Sequence, residues 1–96
     1  MKSRITKQFR KTFSELPDQV KRQTRQAYRL FIENPRHPSL RFKQVHAVLP
    51  IYSARISLDY RAVGVLRVDT VIWFWVGIHG EYEKLLKRIR GGLTRP

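Results

Sequence analysis

The segment IYSARIS, residues 51–57, places different side chains on alternate faces of an extended chain. Ser53 and Arg55 share one face, and Arg61 follows after a short turn. If that turn is centred near Leu58, Arg61 lies opposite Arg55 on the open face of a sheet. Two adjacent guanidinium groups repel each other unless an anion lies between them. The spacing therefore favours a phosphate-binding site over two solvated surface arginines.

The segment VIWFWVGIHGEY, residues 71–82, ends an apolar run with a group that can transfer a proton. His79 follows Gly77 at the predicted end of a strand, with the same alternation as Trp73 and Trp75. Histidine is the most frequent general acid or base because its charge changes near neutral pH. One histidine alone is explained more simply as a polar residue at a strand end. With two arginines expected in the same cleft, acid–base chemistry on a phosphate ester is favoured.

Other kinds of catalytic or metal site are not predicted. The histidines, His37, His46 and His79, lack metal-ligand spacing, and the chain has no cysteine. No phosphate-binding glycine loop and no paired-carboxylate arrangement occurs. His46 lies in an early predicted strand, where a structural role and an RNA-contacting role carry equal weight. The sequence therefore predicts neither a metal nor a cofactor.

The chain carries a large excess of positive charge. It has 20 Lys and Arg against 7 Asp and Glu, a net charge of +13, and 42% hydrophobic residues that indicate a packed globule. The usual partner of such a surface is a polyanion, either nucleic acid or an acidic protein. No segment approaches the ~20 apolar residues of a membrane span, and the basic N-terminus lacks the apolar core of a signal peptide. We therefore expect one cytoplasmic domain, residues 1–96, with no membrane partner.

Helical periodicity occupies the first third of the chain. An amphipathic helix is predicted over residues 5–16, with room for one or two residues of strand before it. Pro17 ends this helix, and a second is predicted over Asp18–Glu33. Two helices joined so closely should form a hairpin. Cations recur every four positions on one face of the second helix, at Lys21, Arg25 and Arg29.

After Leu40 the pattern becomes extended. Four strands are predicted, at about residues 42–48, 51–57, 60–67 and 70–77. Their short connections permit only antiparallel neighbours, and the fully apolar last strand should be covered on both faces. A short basic helix over residues 81–90, stopped by Gly91 and Gly92, closes the chain. The predicted class is α+β, with an N-terminal helix hairpin packed on a four-stranded antiparallel sheet.

This order of elements, with Tyr-x-x-Arg, Tyr-Arg and Gly-x-His in succession, resembles the RelE/ParE superfamily of bacterial type II toxin–antitoxin toxins. The likeness covers nearly the whole chain and is strongest to the RelE and YafQ branch. It implies a RelE-like fold and a ribosome-dependent mRNA endoribonuclease that inhibits translation. In that reaction the ribose 2′-hydroxyl attacks the neighbouring phosphate at the ribosomal A site without a metal. The resemblance also implies a small antitoxin as partner, which we expect on the apolar face beside the C-terminal helix.

The resemblance implies roles for individual residues. Arg55 and Arg61 fall where RelE-type toxins carry basic residues that bind the phosphate. His79 falls where the family carries an arginine or, in YafQ-like members, a histidine that acts as acid or base. Tyr82, His46 and Lys43 are lesser candidates, and the spacing of Tyr82 suggests that it packs against the sheet. Contacts with RNA are expected from Lys21, Arg25, Arg29, Lys87 and Arg88.

Two other functions fit the same resemblance. A ParE-like inhibitor of DNA gyrase shares the fold but lacks nuclease chemistry, and a degenerate relative would only bind RNA or an antitoxin. The set of Arg55, Arg61 and His79 favours the nuclease. Ser53 stands where RelE has a second lysine, so the sequence leaves open whether this copy is active.

Overall fold

The computed structural model describes the backbone of residues 1–94 and the side chains of residues 1–91. Over these residues the chain forms five strands, three α-helices and one 3₁₀ turn. In chain order they are β1 (Lys2–Ile5), α1 (Lys7–Ser14), α2 (Asp18–Glu33), the 3₁₀ turn (Pro38–Leu40), β2 (Lys43–Gln44), β3 (Ile51–Arg55), β4 (Tyr60–Arg67), β5 (Thr70–Ile78) and α3 (His79–Thr94). The predicted α+β class and both N-terminal helices are confirmed.

The sheet has the strand order β1-β5-β4-β3-β2 and differs from the prediction in one strand. β2 to β5 are antiparallel neighbours, as predicted, but β1 adds a fifth strand that runs parallel to β5. Lys2 pairs with Thr70, and Ile5 pairs with Trp73. The sequence pattern allows one or two residues of strand before α1 but does not show that they join the sheet, because the strand is four residues long and pairs with residues 70–73.

Helices cover both faces of the sheet. On one face, Phe9 of α1 and Phe31 of α2 are buried in a core with Trp73 of β5. On the other face, Tyr82 and Leu86 of α3 are buried in a second core, which includes residues of β3 and β4. Because each core holds residues of β5, that strand is covered on both sides, as its apolar sequence predicts.

Most of the strand predicted over residues 42–48 is absent. Only Lys43–Gln44 pairs with β3, and residues 45–50 form a loop. Nδ1 of His46 accepts the N–H groups of Val48 (3.0 Å) and Leu49 (2.9 Å), which turns the chain out of the sheet. A side chain that binds its own following backbone competes with strand pairing in this way.

The predicted C-terminal helix is confirmed, but it is longer at both ends than the predicted residues 81–90. α3 starts at His79, directly after β5, and continues through Gly91 and Gly92 to Thr94. A glycine ends a helix when it adopts positive φ, and no described glycine does so here. The helix is therefore 16 residues long.

Threonines hold the part of β5 that leads to α3. β1 stops at Ile5, where Thr6 caps α1 by accepting the N–H of Phe9 with its side chain (3.1 Å). Beyond that point α1 lies beside β5, and Oγ1 of Thr12 accepts the N–H of Val76 (3.2 Å). The helix thus replaces the missing strand partner near the end of β5.

A bulge changes which residues of β5 face each helix layer. The β4–β5 register shifts between Val63, which pairs with Trp75, and Gly64, which pairs with Trp73. The two tryptophans therefore point to opposite faces, Trp73 toward the hairpin and Trp75 toward α3. The shared alternation predicted for Trp73, Trp75 and His79 is therefore wrong for Trp73, which lies before the bulge.

We predict that Gly64→Ala lowers the free energy of unfolding by about 1–3 kcal/mol, as overpacked cores do. An added Cβ would lie 2.9 Å from Val71 Cγ1, 2.9 Å from Trp73 Cε3 and 3.0 Å from the carbonyl oxygen of Ile72. Both side chains are buried and the third contact is backbone, so none can withdraw freely. Urea denaturation followed by tryptophan fluorescence measures the change.

Gly80→Ala is the matched control. Gly80 lies in the first turn of α3, and an added Cβ there would meet nothing within 4 Å. Alanine is the better helix former, so this variant should be neutral or more stable by up to ~1 kcal/mol. Equal unfolding midpoints for the two variants would contradict the close packing inferred at Gly64.

Candidate active site

Arg55 and Arg61 face each other across β3 and β4. The register pairs Arg55 with Arg61, and Arg61 with Gly77, so three strands contribute to one row. Val63 shares the face of Arg61 and packs in the core with Tyr82 of α3, which puts both arginines on the α3 side. The pairing predicted from the sequence is present. We call these two side chains the arginine pair.

The turn between β3 and β4 holds the guanidinium group of Arg61. Its Nη1 donates hydrogen bonds to the carbonyl oxygens of Ser57 (2.8 Å), Tyr60 (3.0 Å) and Leu58 (3.2 Å). Among the described residues, its Nε and Nη2 have no hydrogen-bond partner. These two nitrogens form one edge of the group, whose parallel N–H bonds match two oxygens of a phosphate.

The surroundings of Arg61 favour a bound anion. Burial lowers the pKa of Arg61, and the positive charges of Arg55 and Arg41 lower it further, whereas Tyr82 and Asp59 act in the opposite direction. The guanidinium stays protonated at physiological pH all the same, because arginine is not deprotonated in proteins. The repulsion among these cations is therefore present in the folded protein, and an anion at this position would relieve it.

Arg41 is a cation of this region that was not predicted from the sequence. It ends the 3₁₀ turn with φ 44°, in the left-handed region, two residues before Lys43. Lys43 pairs with Ser53, and the same register extended by two residues brings Arg41 level with Arg55. The alternation of Arg41 and Lys43, set against Ser53 and Arg55, is the signal that would have revealed it.

His79 stands where β5 passes into α3. Its N–H donates to the carbonyl oxygen of Asp59 (2.7 Å), one step beyond the last pair of the β4–β5 ladder. Its side chain is 51% exposed, its ring centroid is 5.7 Å from that of Tyr82, and its Nε2 is 3.3 Å from Oε1 of Glu83. A group able to transfer a proton therefore lies at the end of the sheet that carries the arginine pair, open to solvent.

Tyr82 fastens α3 to the sheet below His79. It is only 6% exposed, and its hydroxyl donates to Oγ of Ser53 (3.2 Å). Ser53 is 2% exposed, so a lysine at this position would compete with the phenol for the same buried space. Exposed Lys43 lies directly opposite Ser53 on β2 and brings a cation to this place from the neighbouring strand. Tyr82 therefore packs against the sheet, as expected. Its buried hydroxyl explains why position 53 holds a serine and not a lysine.

Gly77 leaves room for an aromatic wall beside the arginine pair. A Cβ at Gly77 would lie 2.6 Å from Cζ2 and 2.8 Å from Cη2 of Trp75. The indole ring therefore lies across Gly77, which pairs with Arg61. Trp75 is partly buried in the α3-side core. The tryptophan predicted as core thus also bounds the site.

His46 does not belong to this group of residues. It is 8% exposed and lies in the loop before β3, whereas Arg55 ends that strand. Nδ1 is occupied by the two loop N–H groups, and Nε2 is buried without a partner among the described residues. Its observed contacts are those of a residue that closes a loop.

The other predicted RNA contacts lie on two faces. Lys87 and Arg88 are exposed on α3. The predicted contacts on α2 lie in the helix layer on the other face of the sheet; they are Lys21, Arg25 and Arg29. There α1 and α2 border an apolar groove of about 330 Å³. The residues that line this groove, called here the hairpin groove, are Ile5, Phe9, Arg10, Phe13, Thr24, Arg25, Tyr28 and Arg29.

Metal ligands are not gathered at the site. Within residues 1–91, no three His, Asp or Glu side chains are grouped so that they could hold a metal ion. None of the described helices is long and apolar enough to cross a membrane. The groups at the site that could take part in a reaction are guanidinium groups and one solvent-exposed imidazole.

Comparison with known proteins is informative for the fold. No protein-family model and no curated protein sequence matches the chain. YafQ from E. coli strain BL21(DE3) aligns with a TM-score of 0.68 at 13% identity, covering 83% of this chain and 94% of that one. A chain of the RelB-RelE antitoxin-toxin complex from Methanococcus jannaschii gives 0.66 at 17% identity, covering 85% and 96%. The YoeB/ParE toxin from Agrobacterium tumefaciens gives 0.63 at 13% identity, covering 82% and 99%.

At identities this low, the likeness concerns the backbone rather than individual side chains. It extends over more than four fifths of this chain and nearly the whole of each matched chain. The resemblance found in the sequence is thereby confirmed at the level of the fold. This chain has the fold of the RelE/ParE superfamily of toxins, as seen in RelE and YafQ.

Proposed function

We propose that this chain is the toxin of a type II toxin–antitoxin system and a metal-independent endoribonuclease that cleaves mRNA on the ribosome. The observation that carries the proposal is the arginine pair at the same end of the sheet as His79. Guanidinium groups bind and neutralise phosphate, and an imidazole transfers a proton, which are the two tasks of RNA cleavage. The shared fold of RelE and YafQ toxins supports the same function.

In the proposed reaction the ribose 2′-oxygen attacks the neighbouring phosphorus. The O2′–P bond forms while the P–O5′ bond breaks, and negative charge accumulates on the phosphate oxygens. Arg55 and the free edge of Arg61 donate hydrogen bonds to those oxygens. Because the turn carbonyls already hold Arg61, little reorganisation is needed when the charge develops. His79 exchanges a proton with the 2′-hydroxyl or the 5′-oxygen.

The lesser candidates have supporting roles in this proposal. Lys43 is exposed beside Ser53 and adds positive charge along the path of the RNA backbone. Tyr82 is buried and keeps α3, and with it His79, in place. His46 stabilises its loop and takes no part in the reaction. The absence of a second lysine at Ser53 is therefore compatible with activity.

Binding to the ribosome is supported by charge. A net charge of +13 attracts RNA, and exposed cations bind phosphates without reading sequence. The cations assigned to this task are Lys21, Arg25, Arg29, Lys87 and Arg88. Because ribosomes are the site of action, the proposal implies a cytoplasmic protein.

His79→Ala should lower the rate of mRNA cleavage by about 10²- to 10⁴-fold, the usual effect of removing a general acid or base. The side chain is half exposed, so the fold should be retained.

Arg61→Lys keeps the charge but loses the bidentate edge, and should lower the rate by about tenfold or more. Both rates are measured on ribosomes programmed with a defined mRNA, with the 5′ ends of the products mapped.

Arg67→Ala is the control, since Arg67 is exposed at the other end of β4 from Arg61. It should cleave at the wild-type rate. An unchanged rate for His79→Ala would remove the catalytic assignment. Intact mRNA together with inhibited DNA supercoiling by gyrase would favour the ParE-like alternative.

An antitoxin is the second proposed partner, and the hairpin groove suits part of it. The M. jannaschii structure is itself an antitoxin–toxin complex. The floor of the groove is apolar, and its charged residues are all cationic: Arg10, Arg25 and Arg29. A segment with apolar side chains and carboxylates would match both features. The face beside α3, expected from the sequence, is less suitable because Leu85, Leu86 and Ile89 pack against the sheet.

Arg25→Glu should weaken antitoxin binding by about tenfold or more, because a carboxylate would replace a cation beside an acidic segment. Arg25 is exposed and lies 5.2 Å from the ring centroid of Phe13, so the change affects the groove rather than the core. The partner to test is the product of the small reading frame adjacent to this gene, titrated by calorimetry. Lys87→Glu on α3 is the control; weaker binding by that variant alone would return the antitoxin to the α3 face.

A further inference from the structure

We propose that Glu83 is a positioning residue for His79 and that it makes Nδ1 the nitrogen that transfers the proton. This inference rests on the proposed function. Glu83 follows His79 by one turn of α3, at the i,i+4 spacing that brings helical side chains together. Its Oε1 lies 3.3 Å from Nε2 of the imidazole.

The contact selects one tautomer of the ring. The contact is an ion pair at 3.3 Å, and the negative charge beside Nε2 favours the tautomer that carries its hydrogen on that nitrogen, because a lone pair there would face the carboxylate. In the neutral imidazole the lone pair then lies on Nδ1, because only one of the two nitrogens is protonated. Nδ1 of His79 has no hydrogen-bond partner among the described residues. It is therefore available to a substrate.

Contacts on several sides restrict the orientation of His79. Its backbone N–H is bonded to the carbonyl oxygen of Asp59, which fixes the start of the helix. The ring centroid of Tyr82 lies 5.7 Å from that of His79. The hydroxyl of Tyr82 donates to Ser53, which restricts movement of the tyrosine ring. Glu83 completes this arrangement by placing its Oε1 3.3 Å from Nε2.

The pair acts on orientation rather than on stability. The side chains of His79 and Glu83 are 51% and 52% exposed, and exposed ion pairs contribute little to folding. A partner that accepts from the second nitrogen of a functional histidine fixes the tautomer and directs the first nitrogen. Removing Glu83 should therefore affect turnover while leaving the fold intact.

Other charged groups surround His79. The backbone of Asp59 contacts that of His79, the ring of Tyr82 lies 5.7 Å from the imidazole, and Asp59 and Tyr82 are both electrostatic neighbours of Arg61. Glu81, in the same turn of α3, is engaged with Lys84 at 3.5 Å. Glu81 is thus a carboxylate of equal charge that serves as a matched control for Glu83.

The assignment holds for either direction of proton transfer. As a base, Nδ1 takes the 2′-hydroxyl proton while the O2′–P bond forms, and the leaving 5′-oxygen takes a proton from water. As an acid, Nδ1 gives its proton to the 5′-oxygen while the P–O5′ bond breaks, and water takes the 2′-hydroxyl proton. In both cases Nε2–H stays directed at Glu83, whose negative charge faces the imidazolium.

The kinetic test compares Glu83→Ala, Glu83→Gln and Glu81→Ala in cleavage of ribosome-bound mRNA. Glu83→Ala should lower kcat by about 3- to 30-fold, less than loss of the acid–base group itself, with KM unchanged. Glu83→Gln should stay within about twofold of wild type, because the amide oxygen still accepts from Nε2. Glu81→Ala should match wild type. Equal kcat for Glu83→Ala and wild type would overturn the proposal.

The identity of the acting nitrogen is tested by replacing His79 with its Nδ1-methylated analogue. A methyl group on Nδ1 blocks that atom, so this protein should be as slow as His79→Ala. Wild-type turnover by the methylated protein, alongside a slow His79→Ala, would overturn the assignment of Nδ1. If His79→Ala itself cleaves normally, the proposed function fails instead.

Nitrogen-15 NMR of the free protein gives a readout that does not depend on nuclease activity. In alkaline buffer, His79 in the wild type and in Glu83→Gln should show the single tautomer protonated at Nε2. Glu83→Ala should show a mixture of the two tautomers. A wild-type ring with the hydrogen on Nδ1, or tautomers unaffected by Glu83→Ala, would contradict the inference whatever the protein's target.

Discussion

The bulge between β4 and β5 is the constraint on which the rest of the site depends. From Arg67 to Gly64 the two strands keep one register, and from Val63 to Tyr60 the register is displaced by one residue. A displacement of one residue exchanges the faces of every following side chain. Without it Arg61 would pair with Val76, and Gly77 would face the hairpin. With it, Gly77 lies opposite Arg61 on the α3 side.

The lack of a side chain at Gly64 permits this register. Two hydrogen bonds then hold the end of β5 that leads to His79. Thr12 of α1 accepts the N–H of Val76, where β5 has no strand neighbour on that side. His79 then donates its N–H to Asp59 before the chain turns into α3. The helix is fixed a second time where Tyr82 meets Ser53. The position of the imidazole is thus set by β5 and by the base of α3, and Glu83 has only to orient its ring.

Much of this could be read from local sequence patterns. The 3.6-residue period and Pro17 define α2 to the residue, and strict alternation with a short turn predicts the opposition of Arg55 and Arg61. The features that were missed depend on contacts between distant segments. β1 is recognisable as a strand only through its pairing with β5, and the bulge lies beside Gly64, which packs closely against buried side chains of β5. Arg41 was not predicted because it lies before the first predicted strand, in a turn with positive φ.

The two surfaces proposed to bind partners lie on opposite sides of the sheet, which restricts how the proposed antitoxin could block the proposed activity. A segment confined to the hairpin groove would not touch the arginine pair, because helix, sheet and helix layers are each about 10 Å apart. To cover the site it must continue around an edge of the sheet. Alternatively, it prevents entry into the ribosome by bulk and by neutralising charge. Cations line both surfaces, so the charge proposed to attract RNA would also draw an acidic chain from the groove toward Arg41 and Arg55.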